Sequence, residues 1–191
     1  MPPGNFSASS RSSASSNPCG ARSAGCRRLL PLAVGVLALG AVPAARSVGP
    51  LAAWNHTPSL PEGLYVRSIL AEPAVGRIVA FPAPAAALDY ARRRGGGGAP
   101  TLFLKPLAAG PGDRVCVADH LEINGRQLAP VLAAGPDGVP LPRWGGCRTL
   151  DVGEWFTYAP RIPNSLDGRY YGPVREADIV GVFRPAWTPG G

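Results

Sequence analysis

Beyond residue 50 the chain consists of short apolar runs separated by glycine and proline, a pattern typical of a mainly β domain with long connections. The first two strands are predicted in GLYVRSI and GRIVAFP, a buried strand in TLFLKPL, and the last two in GEWFTYAP and DIVGVFRP. Apolar and polar residues alternate in DRVCVADHLEINGRQL, where Asn124-Gly125 is a typical hairpin turn. One surface helix is predicted at residues 85–94, because AAALDYARRR is rich in helix formers and precedes four glycines. The segment RIPNSLDGRYYGPV is predicted to be a loop.

The N-terminal part has a different composition. Residues 1–28 are rich in serine, small residues and arginine, with too little apolar surface to offset the entropy of ordering, so we predict a disordered basic tail. Residues 29–45 follow with 17 uncharged positions. As a helix rising ~1.5 Å per residue they would be about 26 Å long, enough for a single transmembrane anchor.

Three arginines, Arg22, Arg27 and Arg28, directly precede this apolar segment. The positive-inside rule then places the tail in the cytoplasm and residues 51–187, predicted to be one exported domain, across the inner membrane in the periplasm or another extracytoplasmic space. A cleaved signal peptide is the alternative, because small residues near position 44 offer a cut site. Both interpretations export the domain.

The basic excess of the chain is confined to its N-terminal part. The formal net charge is +7, but the first 50 residues hold five arginines and no acidic residue, which leaves 14 basic and 12 acidic residues downstream. A nearly balanced domain lacks the clustered basic stripe expected of a phosphate-binding surface. We therefore exclude nucleic acid as a partner.

The four cysteines fall into two pairs on either side of the apolar segment. Only Cys116 and Cys147 would meet an oxidising compartment, where a disulfide between them would contribute about 3 kcal/mol of stability by the chain-entropy model. Two buried free thiols are the alternative. Neither pair has the spacing of a zinc site, and the two histidines stand apart from cysteine and carboxylate clusters, so we predict no metal and no other cofactor.

Lys105 is the only lysine of the chain, and the other 18 basic residues are arginine. Arginine cannot lose its proton at biological pH, whereas a lysine desolvated by apolar neighbours can, and TLFLKPL surrounds Lys105 with such neighbours. A general base near neutrality needs a lysine pKa of about 7 or 8 instead of ~10.4. The alternative is a lysine on the solvent face of a strand. A GC-rich gene, which favours arginine over lysine, would then account for the scarcity of lysine without any catalytic role.

Ser59 is the corresponding candidate nucleophile. Pro58 and Pro61 flank it in NHTPSLPEGLY and fix a stiff turn that could present a hydroxyl, although an ordinary surface turn has the same composition. His56 and His120 are rival bases, but no carboxylate is placed to orient either ring. A Ser-Lys pair is therefore the preferred hypothesis.

Six segments in this order resemble the TraF-type conjugative-transfer signal peptidases of the signal peptidase I superfamily. The resemblance covers about residues 51–187 and lies in NHTPSLPEGLY, GRIVAFP, LFLKPLAAGPGDRVCV, INGRQL, NSLDGRYYGPV and DIVGVFRPAW. It implies a mainly β, signal-peptidase-like domain behind a single N-terminal transmembrane helix.

The resemblance also implies roles for individual residues. Ser59 matches the nucleophile and Lys105 the general base, while the Thr57 hydroxyl and the Ser59 backbone N–H match the groups that stabilise the oxyanion. Ser165 matches a residue that orients the lysine amine. Asp167 and Arg169 match a charged pair that supports this loop, and two interpretations stay open for them, a structural ion pair or a direct role. Gly168 departs from the family pattern, because many relatives have a serine there.

The function implied is that of a membrane-anchored serine endopeptidase acting on a conjugative pilin or a related exported precursor. The precursor would bind as an extended peptide, paired as a strand beside GLYVRSI, with small residues such as alanine before the cut. Water or the N-terminus of the pilin itself would resolve the acyl-enzyme, the latter giving a cyclic product. Two alternatives are a general leader peptidase and an anchored, non-catalytic β module.

Overall fold

A computed structural model describes residues 49–93 and 102–189. The prediction of a mainly β domain is confirmed, since eleven strands form two antiparallel sheets among these residues. The strands are β1 (Ala52–Asn55), β2 (Gly63–Arg67), β3 (Ile78–Pro82), β4 (Leu102–Ala109), β5 (Arg114–Val117), β6 (His120–Ile123), β7 (Arg126–Pro130), β8 (Gly146–Thr149), β9 (Glu154–Thr157), β10 (Val174–Arg175) and β11 (Gly181–Trp187). Two α-helices are α1 (Ala85–Arg93) and α2 (Gly168–Tyr171), and residues Glu176–Asp178 form one turn of 3-10 helix.

The larger sheet has seven strands in the order β1-β2-β11-β3-β4-β9-β10. Successive residues of a strand point to opposite faces, and β3 buries both of its faces. Val79 and Phe81 pack in one apolar cluster with Val182, while Ala80 packs in another with Tyr65. Coverage on both faces explains why the strand sequence IVAFP is a continuous apolar run instead of an alternating one.

The smaller sheet has four strands in the order β7-β6-β5-β8. One apolar cluster joins four of its residues, Val115, Val117, Leu121 and Ile123, to Leu150 just after β8 and to Ala109 and Phe156 of the larger sheet. At the predicted β6-β7 hairpin, Asn124 and Gly125 have φ of 52° and 79°, the left-handed values that an Asn-Gly turn accommodates. The predicted pair Cys116 and Cys147 is directly opposite across β5 and β8 and is joined by a disulfide.

Several element predictions are wrong in detail. The first strand is β1, before GLYVRSI, and β8 and β10 were also not predicted, because these short segments lack periodicity and are stabilised by pairing with longer neighbours. The predicted loop RIPNSLDGRYYGPV contains α2, where the Asp167 side chain accepts a hydrogen bond from the Arg169 backbone N–H as an N-cap.

The helix α1 is present where it was predicted, but it is more than a surface feature. Ala87 and Tyr90 are buried, and the basic residues Arg92 and Arg93 lie in its last turn. Together with the sheet, the helix encloses the cavity described below. The apolar side of α1 therefore forms one wall of that cavity.

The predicted tail at residues 1–28 and the predicted membrane helix at residues 29–45 lie outside the described residues. Within the described ranges, the helices are all too short or too polar to cross a bilayer.

Candidate active site

The turn between β1 and β2 is organised by Asn55, a residue that is only 5% exposed. Its Nδ2 donates to the carbonyl oxygens of Thr57, Leu60 and Pro61, at 2.8, 3.2 and 3.1 Å. Its Oδ1 accepts from the backbone N–H of Thr57 at 3.2 Å and from the Thr57 hydroxyl at 2.8 Å. One side chain thus ties together both ends of the turn that carries Ser59.

Ser59 and Lys105 are brought together although they are far apart in sequence. Lys105 lies in β4, and its Nζ donates to Ser59 Oγ at 2.8 Å and to Ser165 Oγ at 3.1 Å. Ser59 is 3% exposed and Lys105 is 7% exposed. The alternatives of a solvent-facing lysine and of an ordinary surface serine are therefore wrong.

Burial is the main influence on the pKa of the Lys105 amine. Desolvation lowers the pKa of Lys105 from its usual 10.5 to about 8, while the negative charge of Asp167 raises it and the positive charge of Arg169 lowers it. A pKa near 8 leaves roughly a tenth of the amine neutral at pH 7. The neutral amine can accept the hydroxyl proton of Ser59 as the serine oxygen attacks a carbonyl carbon.

Thr57 lies beside Ser59, with 3.1 Å between the two hydroxyl oxygens. The Thr57 hydroxyl donates its only proton to Asn55, whose Oδ1 can only accept, so Ser59 is the donor in the contact with Thr57. Before it can stabilise an oxyanion, as the family resemblance implies, the Thr57 hydroxyl has to turn away from Asn55.

Asp167 and Arg169 form a fully buried ion pair that supports the loop carrying Ser165. Arg169 Nε donates to Asp167 Oδ1 at 2.9 Å, and its Nη2 donates to Asp167 Oδ2 at 3.0 Å and to the Ser165 carbonyl oxygen at 3.2 Å. Burial lowers the pKa of Arg169, but the hydrogen bonds and charge of Asp167 outweigh this and raise it. Their described hydrogen bonds reach Lys105 only indirectly, through the position of Ser165.

Gly168 has no room for a side chain. A Cβ at this position would approach the Thr157 carbonyl oxygen to 2.6 Å and the Phe156 ring to 2.8 Å. The departure from the family pattern is therefore matched by close packing against β9. Nothing in the Ser59, Lys105 and Ser165 contacts depends on a side chain at Gly168.

Neither histidine takes part in this cluster. His56 and His120 are exposed, and the His56 ring lies tilted beside Trp54 with 6.1 Å between ring centroids. In the part of the chain that the structure describes, no three His, Cys, Asp or Glu side chains are grouped closely enough to hold a metal ion.

A cavity of about 530 Å³, called here the first cleft, opens beside Ser59 and Lys105. Its walls are mostly apolar and come from β1, the start of β4, helix α1 and the loop after β9: Ala53, Trp54, Leu88, Phe103, Ile162 and Leu166. Two strand edges face this region without a partner among the described strands, namely β1, which pairs only with β2, and the first half of β4, which pairs only with β3. The cleft can therefore take an extended peptide.

A buried serine hydroxyl that touches a desolvated lysine amine beside an apolar cleft is the arrangement of serine hydrolases that use lysine as the base. Residues 26–187 match the family model described as "Signal peptidase, peptidase S26". The chain belongs to this family and is a serine-type signal peptidase, a peptide-bond hydrolase.

The curated relatives narrow the assignment to the TraF type. The chain is 35% identical over 145 residues to "Conjugal transfer protein TraF" of Agrobacterium tumefaciens strain 15955, covering 70% of this chain and 81% of the relative. It is 32% identical over 176 residues to a "Plasmid transfer protein TraF" of Escherichia coli, covering 85% and 98%. A solved signal peptidase I from Enterococcus faecalis V583 is similar at 23% identity with a TM-score of 0.36, over 59% of this chain and 97% of that one. The assignment follows from the sequence matches.

Asn55 is the site residue that the sequence did not single out. The available signal was its type and place, because asparagine directly before a turn commonly bonds the backbone two residues on. The bonds from Asn55 to Leu60 and Pro61 join residues on opposite sides of Ser59 and are visible only in three dimensions.

Proposed function

We propose that the protein is a membrane-anchored endopeptidase in which Ser59 is the nucleophile and Lys105 the general base, and that it processes a conjugative pilin or a related exported precursor. The observation that carries the proposal is the 2.8 Å contact between Lys105 Nζ and Ser59 Oγ in a buried, largely apolar setting. Support for conjugation as the setting comes from relatives named conjugal and plasmid transfer proteins.

The reaction begins with Lys105 neutral and the Ser59 hydroxyl turned from Thr57 toward Nζ. Its Nζ takes the Ser59 proton as Oγ bonds to the peptide carbonyl carbon, and the carbonyl oxygen becomes an oxyanion held by the Ser59 backbone N–H and the Thr57 hydroxyl. The Lys105 ammonium, oriented by Ser165, then gives its proton to the leaving amine as the C–N bond breaks. An acyl-enzyme remains, and Lys105 is neutral again.

A second nucleophile completes the cycle. Lys105 removes a proton from a water molecule, or from the amino terminus of the bound precursor, as that group attacks the acyl carbon and Ser59 recovers its hydroxyl proton. Water gives hydrolysis, and the precursor's own amine gives a cyclic peptide. Both fates use the same residues.

The substrate binds in an extended form between the unpaired edges of β1 and β4. This replaces the expectation of pairing beside GLYVRSI, which is wrong because β2 already pairs with β1 on one side and β11 on the other. Main-chain hydrogen bonds along the two free edges would align the scissile carbonyl with Ser59, and small residues such as alanine would precede the cut. The N-terminal anchor keeps the tail in the cytoplasm and the catalytic domain in the periplasm, where exported precursors arrive.

The test replaces Lys105 by arginine in cells that express a candidate pilin precursor. Lys105→Arg keeps the charge but removes a base that can lose its proton, so we expect a folded protein and at least a thousandfold loss of precursor cleavage. Arg126→Lys, at an exposed position of β7, is the matched control and should cleave normally. Undiminished cleavage by Lys105→Arg would exclude the dyad and favour a non-catalytic β module.

The identity of the substrate is tested with Ser59→Ala. Mass spectrometry of membrane fractions should show one uncut precursor that accumulates with this variant and disappears with the wild type. Accumulation of many unrelated precursors would instead favour the alternative function of a general leader peptidase.

A further inference from the structure

Ser59 lies between two clefts, and only the first has been considered so far. The second cleft has a volume of about 550 Å³ and is more open to solvent; among its lining residues are Leu60, Pro61, Pro106, Ala108, Tyr158 and Arg161. The division follows the chain. In the two segments that carry Ser59 and Lys105, the residues just before them line the first cleft and the residues just after them line the second. A peptide whose carbonyl reaches Ser59 from the first cleft continues into the second.

We propose that the second cleft binds the part of the substrate that follows the scissile bond, and that Arg161 selects a carboxylate in that part. The inference rests on the proposed function and adds a specificity element to it. Ser59 is shared by both clefts, so the scissile bond lies at their junction.

The backbone around the second cleft has little capacity for strand pairing, which distinguishes it from the first. Three of its lining residues, Pro61, Pro106 and Pro160, have no backbone N–H. The carbonyl oxygens of Pro61 and Pro106 already accept bonds, from Tyr65 Oη at 2.8 Å and from the Tyr158 N–H at 3.2 Å. The second half of β4 is paired with β9.

Recognition in the second cleft therefore depends on side chains. The difference between the clefts indicates which part of the substrate each one binds. The acyl part stays bound along the free strand edges of the first cleft while the segment after the cut, held by side chains alone, is released and admits the second nucleophile.

Arg161 gives the second cleft its charge. It is exposed, no Asp or Glu lines this cleft, and Arg161 takes part in none of the ion pairs found among the described residues. Three arginines of the domain have carboxylate partners, namely Arg92 with Asp89, Arg148 with Glu154 and Arg169 with Asp167. Like several other exposed arginines, Arg161 has none among the described residues, but it differs from them in lining a cleft next to Ser59. A substrate Asp or Glu would supply the missing anion, and a basic residue would be repelled.

The test uses internally quenched peptides with alanine before the cut, an amidated C-terminus, and Asp, Asn or Lys at each of the first few positions after the cut. At one position the wild type should cleave the Asp peptide about threefold to fivefold faster in kcat/KM than the Asn peptide, the size expected for one exposed ion pair. High salt should shrink this preference, because exposed pairs are screened.

The variants locate the preference. Arg161→Gln should abolish it and Arg161→Glu should invert it toward Lys, while Arg126→Gln, an exposed arginine of β7, should keep it. An Asn peptide with a free terminal carboxylate tests whether that group can replace the Asp side chain. A preference that persists in Arg161→Gln, or a wild type that treats Asp and Asn alike, would overturn the inference while leaving the peptidase intact. If the wild type cleaved none of these peptides, the result would contradict the proposed function as well.

Discussion

The two sheets of the domain bury different kinds of side chain. All seven buried polar or charged residues of the described chain belong to the seven-stranded sheet and its connections: Asn55, Ser59, Lys105, Thr157, Ser165, Asp167 and Arg169. The four-stranded sheet buries only apolar side chains and carries the Cys116–Cys147 disulfide. The buried polar groups are thus concentrated in and around one sheet, whereas the other sheet has an apolar core and is cross-linked by a disulfide.

The difference has an energetic reason. Each buried polar group loses its hydration and must recover the loss through hydrogen bonds, and no buried side-chain nitrogen or oxygen of the described residues lacks a partner. The network is thus complete and sensitive to the loss of any member. An apolar core has no such requirement, so the stability of the smaller sheet should depend on its packing and on the disulfide.

The largest expected effect is the loss of the buried Arg169 cation in α2, on the connection between β9 and β10 of the seven-stranded sheet. Arg169→Met leaves Asp167 buried without its partner, and we expect the free energy of unfolding to fall by about 3–5 kcal/mol. Arg148→Met is the matched control in β8, where the pair with Glu154 is partly exposed and should cost about 1 kcal/mol or less. Urea denaturation followed by tryptophan fluorescence measures both. Equal losses would remove the contrast between the sheets.

The disulfide is the corresponding element of the four-stranded sheet. Its cysteines are 31 residues apart, and replacing both by alanine should lower the free energy of unfolding by about 3 kcal/mol. Peptide cleavage at low temperature should change less than about twofold, because Lys105 and the turn that carries Ser59 belong to the other sheet. A large loss of cleavage without loss of stability would show that the disulfide shapes the site.

How much the sequence could predict also differs between the sheets. The Asn124-Gly125 hairpin and the cysteine pair of the smaller sheet follow from local patterns, and both are present. Ser59 and Lys105 were identified by residue type and family resemblance, but their burial and the 2.8 Å between them depend on pairing far along the chain. The first cleft was not predicted, because it arises where helix α1 meets two unpaired strand edges.

Asn55 tests whether the serine turn is held as tightly as its contacts indicate. Asn55→Ala removes all five hydrogen bonds and should lower the free energy of unfolding by about 2 kcal/mol. It should reduce kcat more than it changes KM, since the residue orients the turn. Asn55→Asp keeps the acceptor for Thr57 but turns a carboxylate oxygen toward three carbonyl oxygens, so we expect a kcat no higher than that of Asn55→Ala. A kcat equal to that of the wild type in Asn55→Ala would show that the prolines alone fix Ser59.

The pH dependence gives the smallest effect and the most direct view of Lys105. With a pKa of about 8, the neutral fraction of the amine rises about fivefold between pH 7 and pH 8, so kcat/KM should rise by the same factor and level off above pH 9.

Stability should respond in the same direction. Because the folded pKa lies below the ordinary 10.5, the unfolded chain binds more protons between these values, and the contribution of Lys105 to the free energy of unfolding rises with pH across that window. Lys105→Met should lose this rise. A cleavage rate that is flat from pH 6 to pH 9 would contradict a titrating amine at the base of the mechanism.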